Sequence, residues 1–222
     1  MPTLTFLGHA TFTIAHGEHT VLIDPFLTGN PQASASAGDV SCTHIAITHG
    51  HADHFSDCPD IAKRTGAPVY GSFEVCEYLG GEHGIEKLEP GNPGGCIATD
   101  FGSIAYTAAV HSSSYNGRYM GLAMGIVVNI GGKTIFHAGD TALFGDLKLI
   151  GEIHKPDLVI LPVGDRFTMG PAQAKTAAEW IGAKIAVPCH YGTWPLLTND
   201  ISAFKPEGVR VEVMEPGGAF TL

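Results

Sequence analysis

Alternating apolar and polar positions open the chain. Leu4-Thr5-Phe6-Leu7, Thr11-Phe12-Thr13-Ile14 and Thr20-Val21-Leu22-Ile23 are short runs of strand character, parted by Gly8 and by His16-Gly17-Glu18. They predict a meander of short strands. Asp24-Pro25 closes it, because proline cannot donate to a ladder. Residues 28–41, rich in Gly, Ala, Ser, Asn and Pro, have no period and read as a loop bordering a site. Residues 43–48 form a short buried strand. Residues 60–66 predict a helix stopped by Gly66, followed by a strand at Val69-Tyr70 and a short helix over 73–79. Longer strands are expected at 103–110 and 122–130, and Gly131-Gly132 turns the second into 133–136. The last third alternates again: strand 158–161, a helix over 172–181 opened by Gly170-Pro171, strand 184–187, a helix over 198–204 and a closing strand over 209–214.

Strand-rich stretches followed by β-α units, twice over, suggest two packed sheets with helices outside. No linker or composition shift divides residues 1–222, so one unit is expected. The 222 residues are 44% hydrophobic and only 15% charged, enough for a large core. With 22 acidic against 12 basic residues the formal charge is −10, which repels nucleic-acid phosphates and anionic membranes. The five cysteines include no C-x-x-C pair and read as reduced thiols. The first residues lack the basic and apolar regions of a signal peptide, and no apolar run approaches the ~20 residues that span a bilayer. A cytoplasmic location is the expectation.

The chemistry concentrates in Thr48-His49-Gly50-His51-Ala52-Asp53-His54, directly after Ile45-Ala46-Ile47. Crowding three imidazoles and a carboxylate serves no packing purpose, and the donor set suits a borderline divalent cation. His49 and His51, two apart, point the same way on an extended segment, while Asp53 and His54 cannot both do so. That suggests two neighbouring metal positions. Three later strand ends hand over further ligand types: His111 before Ser112-Ser113-Ser114, Asp140 in His137-Ala138-Gly139-Asp140-Thr141, and His190 before Tyr191-Gly192. Each alone is an ordinary hydrogen-bonded or capping residue; together with the first motif they read as ligands.

This order of motifs resembles the metallo-β-lactamase superfamily. Gly8-His9-Ala10, His111-Ser112-Ser113, Ala138-Gly139-Asp140-Thr141, the segment from Gly164-Asp165-Arg166-Phe167 to Gly170-Pro171, and Cys189-His190-Tyr191 resemble one subgroup of it. That subgroup holds metal-dependent hydrolases related to ascorbate-6-phosphate lactonase and N-acylphosphatidylethanolamine phospholipase D. The resemblance implies a four-layer αβ/βα sandwich of two mixed sheets with outer helices, and a hydrolase whose site lies along one edge. It also implies that His49, His51 and His111 hold one metal, that Asp53, His54 and His190 hold the other, and that Asp140 bridges them. In that branch relatives often associate, so a homo-oligomer is expected.

Two divalent ions can share a water and deliver hydroxide to an ester, lactone, amide or phosphodiester of a small substrate, with Asp53 orienting it and taking its proton. Zinc leads on ligand type, and manganese, nickel or iron also fit. The rival is an iron-dependent oxidoreductase on the same scaffold. Asp24 is expected to fix a ligand imidazole or to cap a turn, and His9 to line the site. Ser112, Tyr115 and Arg118 are placed at the mouth, and Arg166 is placed either on an anionic substrate group or in a surface ion pair. His16, His19, His44, His83 and His154 have no supporting context and are expected at the surface.

Overall fold

A computed structural model describes residues 1–222. Its strands are β1 (Thr3–Gly8), β2 (Thr11–His16), β3 (His19–Ile23), β4 (His44–Ala46), β5 (Val69–Ser72), β6 (Leu88–Gly91), β7 (Cys96–Thr99), β8 (Gly102–Ala108), β9 (Ser114–Tyr115), β10 (Arg118–Tyr119), β11 (Met124–Ile130), β12 (Lys133–His137), β13 (Leu158–Pro162), β14 (Ile185–Cys189), β15 (Arg210–Val211) and β16 (Ala219–Thr221). The helices are α1 (Ala52–Phe55), α2 (Cys58–Thr65), α3 (Phe73–His83), α4 (Leu147–His154) and α5 (Pro171–Ile181).

Two seven-stranded sheets result, ordered β16-β1-β2-β3-β4-β5-β6 and β15-β14-β13-β12-β11-β8-β7, with β9 and β10 as a small separate ribbon. In each, an antiparallel portion passes into parallel strands: β3 to β6 in the first sheet, β12 to β15 in the second.

Side chains of adjacent strand residues point to opposite faces, so a strand covered on both sides must be apolar throughout. In β3, Val21 and Ile23 enter the core between the sheets while Leu22 enters an outer core with Ile61 of α2 and Leu79 of α3. In β11, Ile126 and Val128 face the central core and Val127 the outer one, where Ile150 of α4 and Ala174, Ala177 and Ile181 of α5 pack. Three apolar layers separate four layers of structure, the αβ/βα sandwich expected from the resemblance. Burying a Leu, Ile or Val on either face contributes roughly 1.5–3 kcal/mol, so both faces hold each sheet in place.

Several elements depart from the sequence reading. Residues 198–204 form turns instead of a helix, and the closing strand shrinks to β15. Thr198 there bonds the backbone of Asp200, a local side-chain contact that competes with helix. Strands β7 and β16 were not expected; both are short edge strands with no buried residue. All five cysteines are free, and no helix is long and apolar enough to cross a membrane.

Candidate metal centre

The carboxyl ends of strands from both sheets meet at one edge of the sandwich. Strand β3 delivers Asp24, β4 delivers His49 to His54, β12 delivers Asp140 and β14 delivers His190. His9, Asp24 and His190 leave their strands with φ of +58°, +48° and +56°. Side-chain-bearing residues rarely adopt that region, and such strain gathers at functional sites. Gly50 is required between His49 and His51, since a Cβ there would overlap the Met120 side chain. The Gly50 N–H donates to Ser113 Oγ (3.1 Å), which donates to Met120 O (3.2 Å), so the motif is tied to the loop that follows His111.

Three imidazoles form one half of the centre. His49 Nε2 lies 3.0 Å and His111 Nε2 3.2 Å from His51 Nδ1. Ligand atoms held about 2.0–2.1 Å from a tetrahedral ion stand about 3.3 Å apart, so this spacing fits a single cation. The other half joins His9, Asp53, His54 and His190, whose ligand-type atoms lie within 4.8 Å of one another. Asp140 Oδ2 stands between the halves, 3.1 Å from His190 Nε2, 3.4 Å from His54 Nε2, 3.5 Å from His111 Nε2 and 4.0 Å from His49 Nε2.

The chain itself fixes two ring tautomers. Asp24, fully buried, accepts from the Thr48 N–H (2.8 Å), from Thr48 Oγ1 (2.6 Å) and from His54 Nδ1 (2.8 Å). Thr48 has then used its proton, so at 3.0 Å it accepts from His49 Nδ1. Both Nε2 atoms face inward, the positions from which they would meet a cation, as a carboxylate behind a ligand histidine arranges. Asp24 thus touches the His54 imidazole directly. Buried polar atoms without a hydrogen-bond partner include His54 Nε2, both ring nitrogens of His190 and Asp140 Oδ1. Such orphans are costly unless something satisfies them, and a cation among them does so. The donor set therefore fits metal.

Electrostatics separate the two halves. Burial, then the neighbouring His54, holds His49 well below the ordinary imidazole value, and burial also lowers His51 and His111. Burial works against a proton on His54 too, but Asp140, Asp53 and Asp24 outweigh it and raise that group well above its ordinary value. The same contest, decided by Asp140 and Asp53, brings His190 to about 9. Burial alone would raise Asp53 and Asp140, yet the charges and hydrogen bonds of His54 and His190 hold both carboxyls well below the usual range. With no cation bound, protons on these two histidines balance the carboxylates.

The remaining expected residues are distributed unevenly. His9 is wholly buried. Its Nε2 lies 3.1 Å from Asp53 Oδ2 and its Nδ1 2.8 Å from Thr193 Oγ1, while burial and then His190 lower it to about 4. Ser112 Oγ is 3.3 Å from His51 Nε2. Arg166 departs from both readings: its guanidinium lies over the Phe167 ring (5.6 Å) and it does not line the cavity. Nor do Tyr115 and Arg118 reach the mouth; Tyr115 packs on Phe55 and Tyr78, and Arg118 pairs with Glu82 at 2.9 Å. His44 is not a surface residue but is buried, beside His19 and Asp100.

The cavity over the centre holds about 330 Å³ and is lined by His51, Asp53, His111, Ser112, Asp140, Phe167, His190 and Trp194. Neither aromatic was anticipated as a lining residue. Trp194 follows His190 by only a few positions, and one of only two tryptophans so near a ligand-type histidine was the available signal.

Residues 19–191 match the model of the beta-lactamase superfamily domain, so the chain belongs to that superfamily. Similarity runs deeper with a narrower group. The UPF0173 metal-dependent hydrolase of Shouchella clausii is 48% identical over 90% of both chains, and that of Geobacillus thermodenitrificans 44% identical over 99% of both. Igni18, a metallo hydrolase from the archaeon Ignicoccus hospitalis, superposes with a TM-score of 0.87 at 32% identity, covering 100% of this chain and 99% of its own. The chain belongs to the UPF0173 family of metal-dependent hydrolases.

Proposed function

We propose that the protein is a dinuclear metallohydrolase that cleaves a small ester, lactone, amide or phosphodiester. One observation carries this reading: a single buried carboxylate oxygen, Asp140 Oδ2, lies within 3.1 to 4.0 Å of four histidine Nε2 atoms drawn from both halves. His49, His51 and His111 would hold one ion, Asp53, His54 and His190 the other, and Asp140 both. When bound, the ions lower the pKa of a shared water toward neutrality and stabilise negative charge on the scissile group. Zinc suits the donors best.

The chain's own residues supply the rest. Asp53, the carboxylate of its half that opens to the cavity, orients the attacking water and takes its proton. His9, locked between Thr193 and Asp53, positions that carboxylate. Phe167 and Trp194 give the cavity an apolar flank and help exclude water. A cavity of this size selects a small molecule. The motif-level likeness to lactonase and phospholipase D branches directs the search toward lactones and phosphodiesters.

The test is elemental analysis together with a panel of lactones, esters and phosphodiesters assayed with zinc, manganese, nickel and iron. Two equivalents of metal and chelation-sensitive turnover are expected. Full turnover by verified metal-free protein would sink the reading.

A further inference from the structure

The same strands that carry the catalytic residues at their carboxyl ends carry a second cluster at their amino ends. Strand β3 begins at His19 and β4 at His44, about five residues before Asp24 and His49 respectively. At the rise of an extended strand that places the two clusters roughly 16 Å apart. Asp100, from the turn between β7 and β8, completes the group: its Oδ1 is 3.3 Å from His44 Nε2 and 3.6 Å from His19 Nδ1. We propose that His19, His44 and Asp100 form a second, peripheral site for a divalent transition-metal ion such as zinc.

Hydrogen bonding around His44 argues for a cation. Thr43 Oγ1 accepts from the Thr20 N–H (2.9 Å) and donates to Thr20 O (3.2 Å), so its proton is used within the backbone pair. With its proton on Thr20 O, Thr43 Oγ1 accepts at 2.9 Å from His44 Nδ1, the tautomer in which His44 is ready for a cation. His44 Nε2 is left as a lone pair facing a carboxylate oxygen. In that tautomer two lone pairs at 3.3 Å repel unless a proton or a metal ion lies between them, and the geometry is the wrong one for a shared proton. Neither imidazole–carboxylate contact meets hydrogen-bond geometry, and both spacings suit neighbouring ligands of a tetrahedral ion, which stand about 3.3 Å apart.

The surroundings agree. The site opens into a cavity of about 750 Å³ whose lining includes Glu18, Glu86 and Glu89 against a single Lys87, a setting that attracts cations. His44 is held by the edge-on Phe101 ring (4.7 Å) and by Thr43, so its ring is oriented in advance. Three protein donors with an open side leave room for water or Glu18 to complete the coordination. Two histidines and a carboxylate are a set that zinc accepts readily.

The site can be tested apart from the catalytic centre. Protein carrying its catalytic metals is dialysed against dilute zinc, and bound zinc is counted in wild type, His19→Ala and Asp100→Asn. Both substituted side chains are partly exposed, and thermal melts without added zinc establish that each variant is folded. Wild type is expected to retain one more equivalent than either variant, and crystals grown with zinc to show an anomalous peak between the His19 and His44 rings. Added zinc should also raise the melting temperature of wild type more than that of Asp100→Asn. Equal zinc counts in all three folded proteins, with no peak between the rings, would overturn the proposal. Because the comparison counts metal and not turnover, it stands or falls independently of the catalytic reading.

Discussion

The two halves of the candidate metal centre are built from the same ring but tuned in opposite directions. His49, His51 and His111 have burial as the dominant influence and lose affinity for protons. His54 and His190 sit among Asp24, Asp53 and Asp140 and gain it. A cation entering the first half would find lone pairs; one entering the second would have to displace protons. Carboxylates thus decide which half carries the proton coupling, although both halves present imidazole nitrogen.

The largest effect that could break this comparison comes from Asp140, the group common to both halves. Asp140→Asn keeps the shape, removes the charge and is expected to empty both halves and cut turnover about a thousand-fold or more, a loss of several kcal/mol of transition-state stabilisation. Elemental analysis beside a rate measurement checks it; retention of two ions would dissolve the idea of a shared carboxylate.

Next in size, Asp24→Asn leaves a side chain that still accepts hydrogen bonds but weakens the hold on His54 Nδ1. Metal affinity should fall about 10- to 100-fold, more in the Asp-rich half, because His49 is reached only through Thr48. Equal loss from both halves, read by competition with a chromophoric chelator, would contradict the asymmetry.

The proton coupling has a sign that can be worked out. His190 without a cation stands at about 9, above the roughly 6.5 of an unfolded histidine. Its stabilisation is complete below about pH 6.5 and fades as pH rises to about 9. Metal-free protein should therefore lose melting temperature across that window, while metal-loaded protein should not. Calorimetric titration near pH 7 in buffers of different ionisation enthalpy should show proton release on metal uptake. Heats independent of buffer would remove the distinction between the halves.

The smallest change is expected from the rim. Trp194→Ala should raise KM by about 10-fold while leaving metal content and kcat nearly unchanged, since an apolar contact contributes roughly 1–3 kcal/mol of recognition. A fall in kcat alone would instead give the indole a part in the chemistry.

The clustering of the candidate ligands was legible because strand ends deliver them in order. The run from His49 to His54, then His111, Asp140 and His190, follows apolar stretches whose lengths announce strands. Chemistry that depends on pairing across the fold was harder to see. His44 gives no local sign of burial, since its partner Asp100 comes from the other sheet's β7–β8 turn. Arg166, placed by the sequence before a helix, reads as either an anion contact or a surface ion pair, yet its φ of +36° belongs to a turn in which it rests on Phe167. The helix expected over 198–204 failed for a local reason, the Thr198 and Asp200 side-chain bonds to nearby backbone. Edge strands such as β16, exposed on alternate residues and only a few residues long, leave too little pattern to read.

The residues of the centre are scattered from His9 near the start of the chain to His190 near its end. Contacts between such distant positions form late, because closing long loops is costly before the contacts reward it. The pocket therefore cannot exist until both sheets have closed on each other. Metal capture would consequently act as a check on folding: a chain that has mispaired its sheets has no place for an ion, and one that has paired them would gain the binding energy as a latch.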